Sequence, residues 1–186
     1  MEAVATGMNL RVIEETEIVE AIDQAIRDGL CICFPPDQPV FSQTRKWHGT
    51  GPAWTVIAEE DGVIATHVGV VDRTVKAGEE LVRVAGIQNM YVLPNFRKRG
   101  LGQAVLERSM AEAARRGFDC GLLFCVPELA KLYSACGWRL LPRERVVRID
   151  EEGREVDLPA KNIAMFLPLA RSRFPAGVIH LQGNDW

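Results

Sequence analysis

The sequence lacks the features that mark several protein classes. Its 186 residues contain no apolar run long enough to cross a membrane. Residues 1–7 include an acidic side chain and no apolar core, so we predict no signal peptide. The net charge of −3 offers no basic excess for nucleic acid and is compatible with a cationic substrate. We therefore expect a cytoplasmic protein that has neither a membrane nor a nucleic acid as its partner.

Cysteine patterns for metal binding or disulfides are also missing. The five cysteines, at positions 31, 33, 120, 125 and 136, are scattered, and none forms a C-x-x-C pair. Cys120 and Cys125 border or lie in an apolar run, where a thiol behaves as a small hydrophobic group. Cys31 and Cys33 have no histidine or cysteine cluster nearby in the sequence. These patterns predict reduced, structural thiols and no metal site.

The remaining composition is that of an ordinary globular domain. Hydrophobic residues make up 47% of the chain and charged residues 25%, which supports one apolar core. The length suits a single domain, 1–186. We find no internal repeat, low-complexity stretch or linker that would divide it. Nothing in the sequence fixes the oligomeric state, so a homodimer stays open.

The most informative stretch is 97–104, which reads RKRGLGQA. It follows an apolar run, 82–93, that predicts a strand, and it opens a periodic run, 101–116, that predicts a helix ending before Gly117. The N–H groups of a first helical turn have no partner within the helix, and the helix dipole adds positive charge there. With its basic side chains and two glycines, this stretch predicts a phosphate or pyrophosphate site. The alternative is a basic helix terminus that simply faces solvent.

Hydrophobic periodicity predicts the other elements. A helix is predicted from Thr16 to a stop at Gly29, and a second short helix covers 128–135. The segment 34–52 is rich in proline, glycine and polar residues, so we predict a loop or a broken helix. Strands are predicted at 8–14, 54–59, 63–75, 118–126, 138–149 and 164–169. This order predicts an α/β (α+β) fold, in which a mixed sheet carries helices on both faces.

Two motifs together resemble a known family. The glycine spacing at 97–104 fits neither a P-loop nor a dinucleotide-binding loop. Instead, R-x-x-G-x-G at 97–102 resembles the acetyl-CoA loop of the GCN5-related N-acetyltransferase (GNAT) superfamily. One helix and one strand later, LYSACGW at 132–138 is similar to that superfamily's second signature, in which a helix ends in tyrosine and a glycine–aromatic pair follows. The resemblance covers 54–169 and implies a mostly antiparallel mixed sheet.

The resemblance also implies where acetyl-CoA binds. An N-terminal strand, helix and acceptor-side loop (1–53) would precede the central sheet and acetyl-CoA loop (54–126), with the C-terminal half (127–186) completing the domain. The central strand would splay from its neighbour, so that backbone groups of Met90 and Val92 bind the pantetheine arm. An N–H near Met90 or Tyr91 would meet the thioester oxygen. The pyrophosphate would be held by Arg97, Lys98, Arg99, Gly100, Leu101, Gly102 and Gln103.

The resemblance identifies the catalytic residues less directly than the cofactor site. Tyr133 matches the family tyrosine that protonates the departing CoA thiolate, and the alternative is that its ring only packs. Many relatives carry a glutamate base before the loop, but this sequence has Gln88 there, which can hold a water but cannot remove a proton. The candidates for the base are Asp37, Asp185 and the terminal carboxylate of Trp186. Asp37, Trp47 and His48 are expected to form a wall of the acceptor site.

The resemblance implies an enzyme that transfers an acetyl group directly from acetyl-CoA to a primary amine. Acetyl-CoA would be a co-substrate, and no metal is expected. A weaker likeness to aminoglycoside 2'-N-acetyltransferases, in the 132–138 motif, in FLPL at 166–169 and in the final Asp-Trp, predicts a small polar acceptor such as an amino sugar or aminoglycoside. Two alternatives stay open, which are transfer of a longer acyl group and a non-catalytic CoA-binding regulatory module.

Overall fold

The computed structural model describes residues 8–141 and 145–186. These residues form four α-helices and ten strands, with short 3₁₀ turns between several of them. The helices are α1 (Glu20–Cys33), α2 (Gln38–Phe41), α3 (Leu101–Arg115) and α4 (Ala130–Ala135). The strands are β1 (Asn9–Glu14), β2 (Trp54–Glu60), β3 (Val63–Ala77), β4 (Glu80–Val92), β5 (Cys120–Cys125), β6 (Arg139–Leu140), β7 (Val146–Ile149), β8 (Glu155–Asp157), β9 (Ile163–Pro168) and β10 (Ile179–His180).

All ten strands belong to one mixed sheet. Its main order is β6-β9-β5-β4-β3-β10-β7-β8, and β2 pairs with β3 and with β1. The pairs β1–β2, β2–β3 and β3–β4 are antiparallel, whereas β4 and β5 run parallel because α3 crosses over between them. This arrangement confirms the predicted fold class, a mostly antiparallel mixed sheet with helices on both faces.

The two faces of the sheet follow from the alternation of side chains along each strand. On β2, Val56 and Ala58 belong to the core beneath α3, while Ile57 belongs to the core beneath α1. The α3 face also buries Trp54 against Phe118, with ring centroids 5.4 Å apart. Further along the face opposite α3, the core is formed with β7, β10 and the C-terminal segment, residues 181–186.

A gap opens between the two central parallel strands. Pairing of β4 with β5 covers only Val84–Gly86 opposite Cys120–Leu122, although both strands continue beyond it. Just after this point, β4 contains a bulge, because Asn89 and Met90 together face one residue of β3, Val68. Asn89 adopts a left-handed backbone with φ of 53°. A bulge bends its strand, and this one directs the end of β4 away from β5.

Several element boundaries differ from those predicted. Thr16 lies in a 3₁₀ turn, and α1 begins at Glu20. The predicted stop at Gly29 is wrong, because this glycine lies inside α1, where a Cβ would come within 2.3 Å of the Tyr91 ring. Gly29 is therefore required by packing of α1 on the sheet.

The predicted strand 138–149 is not continuous. Its described parts are the two short strands β6 and β7, which pair with different partners, β9 and β10, and residues 142–144 lie outside the described residues. The strands β8 and β10 were not predicted from the sequence, because three-residue and two-residue strands are too short for a periodic pattern.

Three features concern membranes, metals and thiols. None of the helices in residues 8–141 and 145–186 combines the length and apolarity needed to span a membrane. In the same residues, no three histidine, cysteine or acidic side chains are grouped so that they could hold a metal ion. All five cysteines are free, and burial raises the pKa of the Cys120 thiol to about 12 and that of Cys125 to about 11. Such thiols stay protonated and pack as apolar groups.

Candidate active site

The loop before α3 leaves the first turn of that helix open. Its N-cap residue, Gly100, has φ of 76°, and no side chain caps the helix. The first hydrogen bond of the helix runs from the Ala104 N–H to the Gly100 carbonyl at 3.0 Å. The N–H groups of Leu101, Gly102 and Gln103 precede that bond and point out of the helix end. An open helix start of this kind has the backbone geometry that an anion site requires.

A cavity of about 560 Å³ lies against this helix end. It runs from the loop past the end of β4 to α4. Most of the residues predicted to bind the cofactor line it. The lining residues are Cys33, Phe34, Met90, Tyr91, Val92, Phe96, Arg97, Lys98, Gly100, Leu101, Gly102, Gln103, Leu129, Leu132, Tyr133 and Cys136.

The two arginines of the loop have different positions. Arg97 lines the cavity, and its Nε donates to the Val92 carbonyl at 3.1 Å, which holds the guanidinium at the cavity wall. Arg99 does not line the cavity. Its two terminal nitrogens each donate to Glu60 at 2.7 Å, outside the cavity. The structure therefore gives Arg97 and Lys98, rather than Arg99, the position expected for a phosphate contact.

Gly102 also has a packing contact that the sequence did not reveal. It lines the first cavity, and a Cβ here would come within 2.9 Å of Met90 Cε and 3.4 Å of Val92 Cγ2. Its missing side chain lets α3 pack closely on the end of β4. Gly100 has no such neighbour within 4 Å, and its positive φ is the reason for glycine there.

The backbone of β4 alternates between its two neighbours. Leu93 donates its N–H to the Ala65 carbonyl of β3 at 2.9 Å, so Val92, one residue earlier, directs its N–H and C=O toward the gap. By the same alternation, the N–H of Tyr91 faces β3 and is not available at the gap. This corrects the expectation that Tyr91 contacts the thioester through its backbone. Its ring packs below α1, and burial raises the pKa of its phenol.

A second cavity of about 610 Å³ lies on the other side of the gap. It brings together candidates from distant parts of the sequence, because α2, the 47–50 turn, β4 and the C-terminal segment all border it. The polar and aromatic lining includes Asp37, Phe41, Trp47, His48, Gln88, Asn89, Tyr133, Arg148, Lys161, Asp185 and Trp186. The three residues predicted to form an acceptor wall, and the candidates for the base, all lie here.

Tyr133 lies where the two cavities meet. It lines both of them, together with Phe34, Met90 and Leu129. The residue is 9% exposed and packs edge-on against Trp138, with ring centroids 6.2 Å apart. Burial raises the pKa of Tyr133 to about 12, so the phenol stays protonated at neutral pH. Both sequence readings, a packed ring and a proton donor, fit this position.

Gln88 is buried beside the second cavity. Its Nε2 lies 3.4 Å from the Thr50 carbonyl, and its Oε1 accepts from Asn89 Nδ2 at 3.1 Å. An amide has no basicity for removing a proton from an ammonium group. The side chain is nevertheless positioned at the cavity wall, where it can hydrogen-bond a water or the acceptor.

The sequence matches the family model for an acetyltransferase (GNAT) domain over residues 10–141. The chain belongs to the GNAT acetyltransferase family. The match covers well over half of the chain and includes the open helix end, the gap and Tyr133. A comparison with curated proteins found no significant match to this GNAT chain.

Solved structures share the GNAT fold. The GNAT family N-acetyltransferase YhbS from Escherichia coli, in complex with CoA, superposes with a TM-score of 0.69 at 16% identity, covering 98% of this chain and 93% of that chain. A GNAT family acetyltransferase from Brucella melitensis, in complex with acetyl-CoA, superposes with a TM-score of 0.58 at 17% identity, covering 92% of this chain and 94% of that chain. At such low identity the likeness shows the fold alone.

The C-terminal residues of this GNAT chain complete the second cavity. The Trp186 ring is 6% exposed, lies 5.2 Å from the Phe124 ring and occupies the space over Gly86, where a Cβ would come within 2.4 Å of it. Asp185 is 4% exposed and lies 2.6 Å from His48 Nδ1 and 3.4 Å from Arg148 Nη1. Sequence reasoning missed Arg148 and this pairing, because nothing near these residues in the sequence links them.

Proposed function

We propose that this GNAT chain transfers an acetyl group from acetyl-CoA directly to a primary amine of a small polar acceptor. The observation that carries the proposal is the meeting of two cavities at one place. One cavity begins at the open end of α3, and the other is lined by polar and aromatic side chains. They share Tyr133 and Met90, so a thioester and an amine brought in from opposite sides would meet there. Holding both reactants in this way lowers the entropic part of the barrier.

The first cavity has the groups that CoA requires. The pyrophosphate would bind the N–H groups of Leu101, Gly102 and Gln103 and the side chains of Arg97 and Lys98. The pantetheine arm would enter the gap and pair with the backbone of Met90 and Val92 as an added strand does. Main-chain groups need hydrogen-bond partners, and the Val92 N–H faces the gap, while the Val92 carbonyl already accepts from Arg97. These contacts would place the thioester beside Tyr133.

The reaction needs a proton donor for the leaving thiolate, and Tyr133 is our candidate. Its position at the junction of the cavities supports this role, since the thioester sulfur must lie at that junction. Gln88 would position a water or the amine by hydrogen bonding rather than act as a base. Asp185 would lie beside the acceptor in the second cavity, and the Trp186 ring would form part of that cavity's wall.

For the acceptor, we propose a small polar amine, with amino sugars and aminoglycosides as the first class to test. The second cavity contains the Trp47 ring and the Asp37 carboxylate. An amino sugar presents an apolar ring face and an ammonium group, which suit an aromatic surface and a carboxylate. The weaker sequence likeness described above points to the same class.

The test is to incubate the protein with acetyl-CoA and a panel of glucosamine, tobramycin, lysine and spermidine. Release of free thiol is followed, and the acetylated amine is identified by mass spectrometry. Thiol release that depends on an amine supports the proposal. CoA binding without turnover of any amine would instead favour a regulatory module. Turnover only with a longer acyl-CoA would mean that the donor is that acyl-CoA and not acetyl-CoA.

A further inference from the structure

A histidine and an aspartate are paired in the wall of the acceptor cavity. His48 Nδ1 lies 2.6 Å from Asp185 Oδ1, and the two residues are 137 positions apart in the sequence. Both line the cavity that also contains Tyr133. We propose that His48 is the general base that removes a proton from the acceptor ammonium, and that Asp185 is the positioning residue that orients it. This inference rests on the proposed function.

The backbone holds His48 in a tight two-residue turn. Trp47 and Thr50 exchange both of their backbone hydrogen bonds, at 3.1 and 2.8 Å, and His48 and Gly49 form the turn between them. Both turn residues have a positive φ, 44° for His48 and 76° for Gly49. A histidine in this left-handed region is uncommon and strained. The turn fixes the direction in which the imidazole leaves the backbone.

Contacts from Trp47 within the turn and from two other segments hold the turn and the ring. The Trp47 ring lies against the imidazole, with centroids 4.5 Å apart. Asn184 Nδ2 donates to the His48 carbonyl at 3.3 Å, which ties the turn to the C-terminal segment. Arg73 of β3 donates to both the Asn184 carbonyl and Thr50 Oγ1, the latter at 3.2 Å. The imidazole is therefore held in one place before an acceptor arrives.

The pairing with Asp185 also selects the tautomer. A carboxylate accepts hydrogen bonds, so Nδ1 must carry the proton that it donates to Asp185. The lone pair then lies on Nε2, and among the described residues no group is hydrogen-bonded to Nε2. The same logic orients the histidine of a Ser-His-Asp triad. His48 is thus arranged to accept a proton through Nε2.

Gln88 and Asp185, which line the same cavity, are less suited than His48 to remove a proton. Gln88 has no basicity, and the Asp185 carboxylate already contacts both His48 and Arg148. His48 is about one-third exposed at its side chain, so a proton taken from the acceptor can pass on to water. Histidine is also the side chain whose ordinary pKa is closest to neutral pH. Both the residue type and the position of His48 therefore suit a general base.

The proposed step balances as follows. His48 Nε2 takes one proton from the acceptor ammonium and releases it to water, which leaves a neutral amine. The amine nitrogen attacks the thioester carbon, so that a C–N bond forms and the C–S bond then breaks. Tyr133 gives its proton to the departing sulfur and regains, through solvent, the second proton that the nitrogen loses. The products are an amide, free CoA thiol and one released proton.

The first test uses His48→Asn, with the amine of the four-member panel that gives the most thiol release. Asparagine tolerates a positive φ and can still donate a hydrogen bond to Asp185, but it cannot act as a base. We expect kcat to fall at least about a hundredfold, with an unchanged Kd for CoA by calorimetry and a native circular dichroism spectrum. The matched control is His180→Asn, because His180 lies in β10 outside both cavities and should retain wild-type kcat.

Two further measurements separate a base from a structural residue. His48→Gly keeps the turn possible and leaves space for a free base, so added imidazole should restore turnover in proportion to its concentration. Asp185→Asn should lower kcat roughly tenfold or more in the wild-type chain but have no further effect in His48→Asn, because it acts through the histidine. If imidazole does not restore turnover in His48→Gly, the role of His48 is overturned. If the losses of kcat from His48→Asn and Asp185→Asn add up in the double variant, the role of Asp185 is overturned.

The outcomes distinguish this inference from the proposed function. If the wild-type protein turns over no member of the panel, the proposed function fails, and the role of His48 fails with it. If the wild type is active and His48→Asn is equally active, only the role of His48 is overturned. An inactive His48→Asn that also loses CoA binding would mean a structural role and would likewise overturn the proposal.

Discussion

At the scale of single residues, Tyr133 has the position that our proposed mechanism depends on most. It is the one acidic hydroxyl that lines both cavities among residues 8–141 and 145–186. Burial raises the pKa of Tyr133 to about 12, so the side chain keeps its proton at neutral pH. A thiol has a pKa of about 8.5, so proton transfer from Tyr133 to the departing thiolate needs help from the surrounding site.

We predict that Tyr133→Phe lowers kcat about a hundredfold and leaves the Kd for CoA nearly unchanged. The substitution removes the proton donor and keeps the ring that packs on Trp138. Steady-state thiol release and calorimetry measure the two quantities. An unchanged kcat would leave Tyr133 with only its packing role.

A second residue-scale prediction concerns the buried His67 of β3. It is 1% exposed, and its Nδ1 donates to the Asn89 carbonyl at 2.9 Å, next to the bulge. Burial lowers the pKa of His67 from 6.5 to about 3. Because the unfolded chain binds this proton more readily, the free energy of unfolding should fall as pH drops from 6.5 toward 3, by about 1.4 kcal/mol per pH unit.

His67→Asn tests this prediction, because asparagine keeps a donor for the bulge and cannot titrate. Between pH 7 and pH 5, the wild type should lose about 2 kcal/mol more of its free energy of unfolding than the variant, as measured by urea denaturation. His180→Asn serves as the control and should show the wild-type dependence on pH. Equal pH dependence in wild type and His67→Asn would contradict the assignment.

At the scale of elements, the loop before α3 could be predicted from sequence because its signals are local. A strand, a basic turn and a glycine-started helix follow one another within 82–116, and no distant residue is needed to interpret them. Local patterns did not reveal the partner of Arg99, since Glu60 lies 39 residues away. The role of Gly102 also depends on a neighbouring strand, because its contact is Met90.

The two loop arginines give an element-scale prediction. Arg97→Ala should raise the Kd for CoA roughly tenfold or more, because a charge-assisted phosphate contact is lost. Arg99→Ala should change it less than about threefold, because the guanidinium is bound to Glu60 outside the cavity. Calorimetry with pantetheine, which has no pyrophosphate, should show no effect of either substitution. Equal effects of the two arginines on CoA binding would show that Arg99 also reaches the phosphates.

At the scale of the whole molecule, sequence reasoning predicted the fold class but not how the second cavity is assembled. The alternation of strands and helices, together with the two motifs, was enough to predict the mixed sheet. The cavity instead depends on contacts between distant segments, such as His48 with Asp185 across 137 positions. One sequence provides no signal for such a contact, and the two-residue strand β10, which leads to it, has no periodicity.

The gap between β4 and β5 gives a prediction for the whole fold. CoA should slow hydrogen exchange at Met90 and Val92 in β4 and in the first turn of α3, 101–103, because both sets of amides would gain partners. At a hundred times its Kd, CoA should also add about 2.7 kcal/mol to the free energy of unfolding. Mass spectrometry and urea denaturation measure these effects. Protection elsewhere but not in these two segments would place CoA at another site.

The turn that carries His48 has a consequence for how relatives of this protein can evolve. A positive φ restricts the position mainly to glycine, asparagine, aspartate and histidine. A single-nucleotide change converts a histidine codon into an asparagine codon, and asparagine suits this backbone at least as well. On the role that we propose for His48, drift through that codon would leave a correctly folded descendant that could still hold the coenzyme but could not remove the proton. One mutation that selection for folding would not detect would then separate an enzyme from an inert carrier.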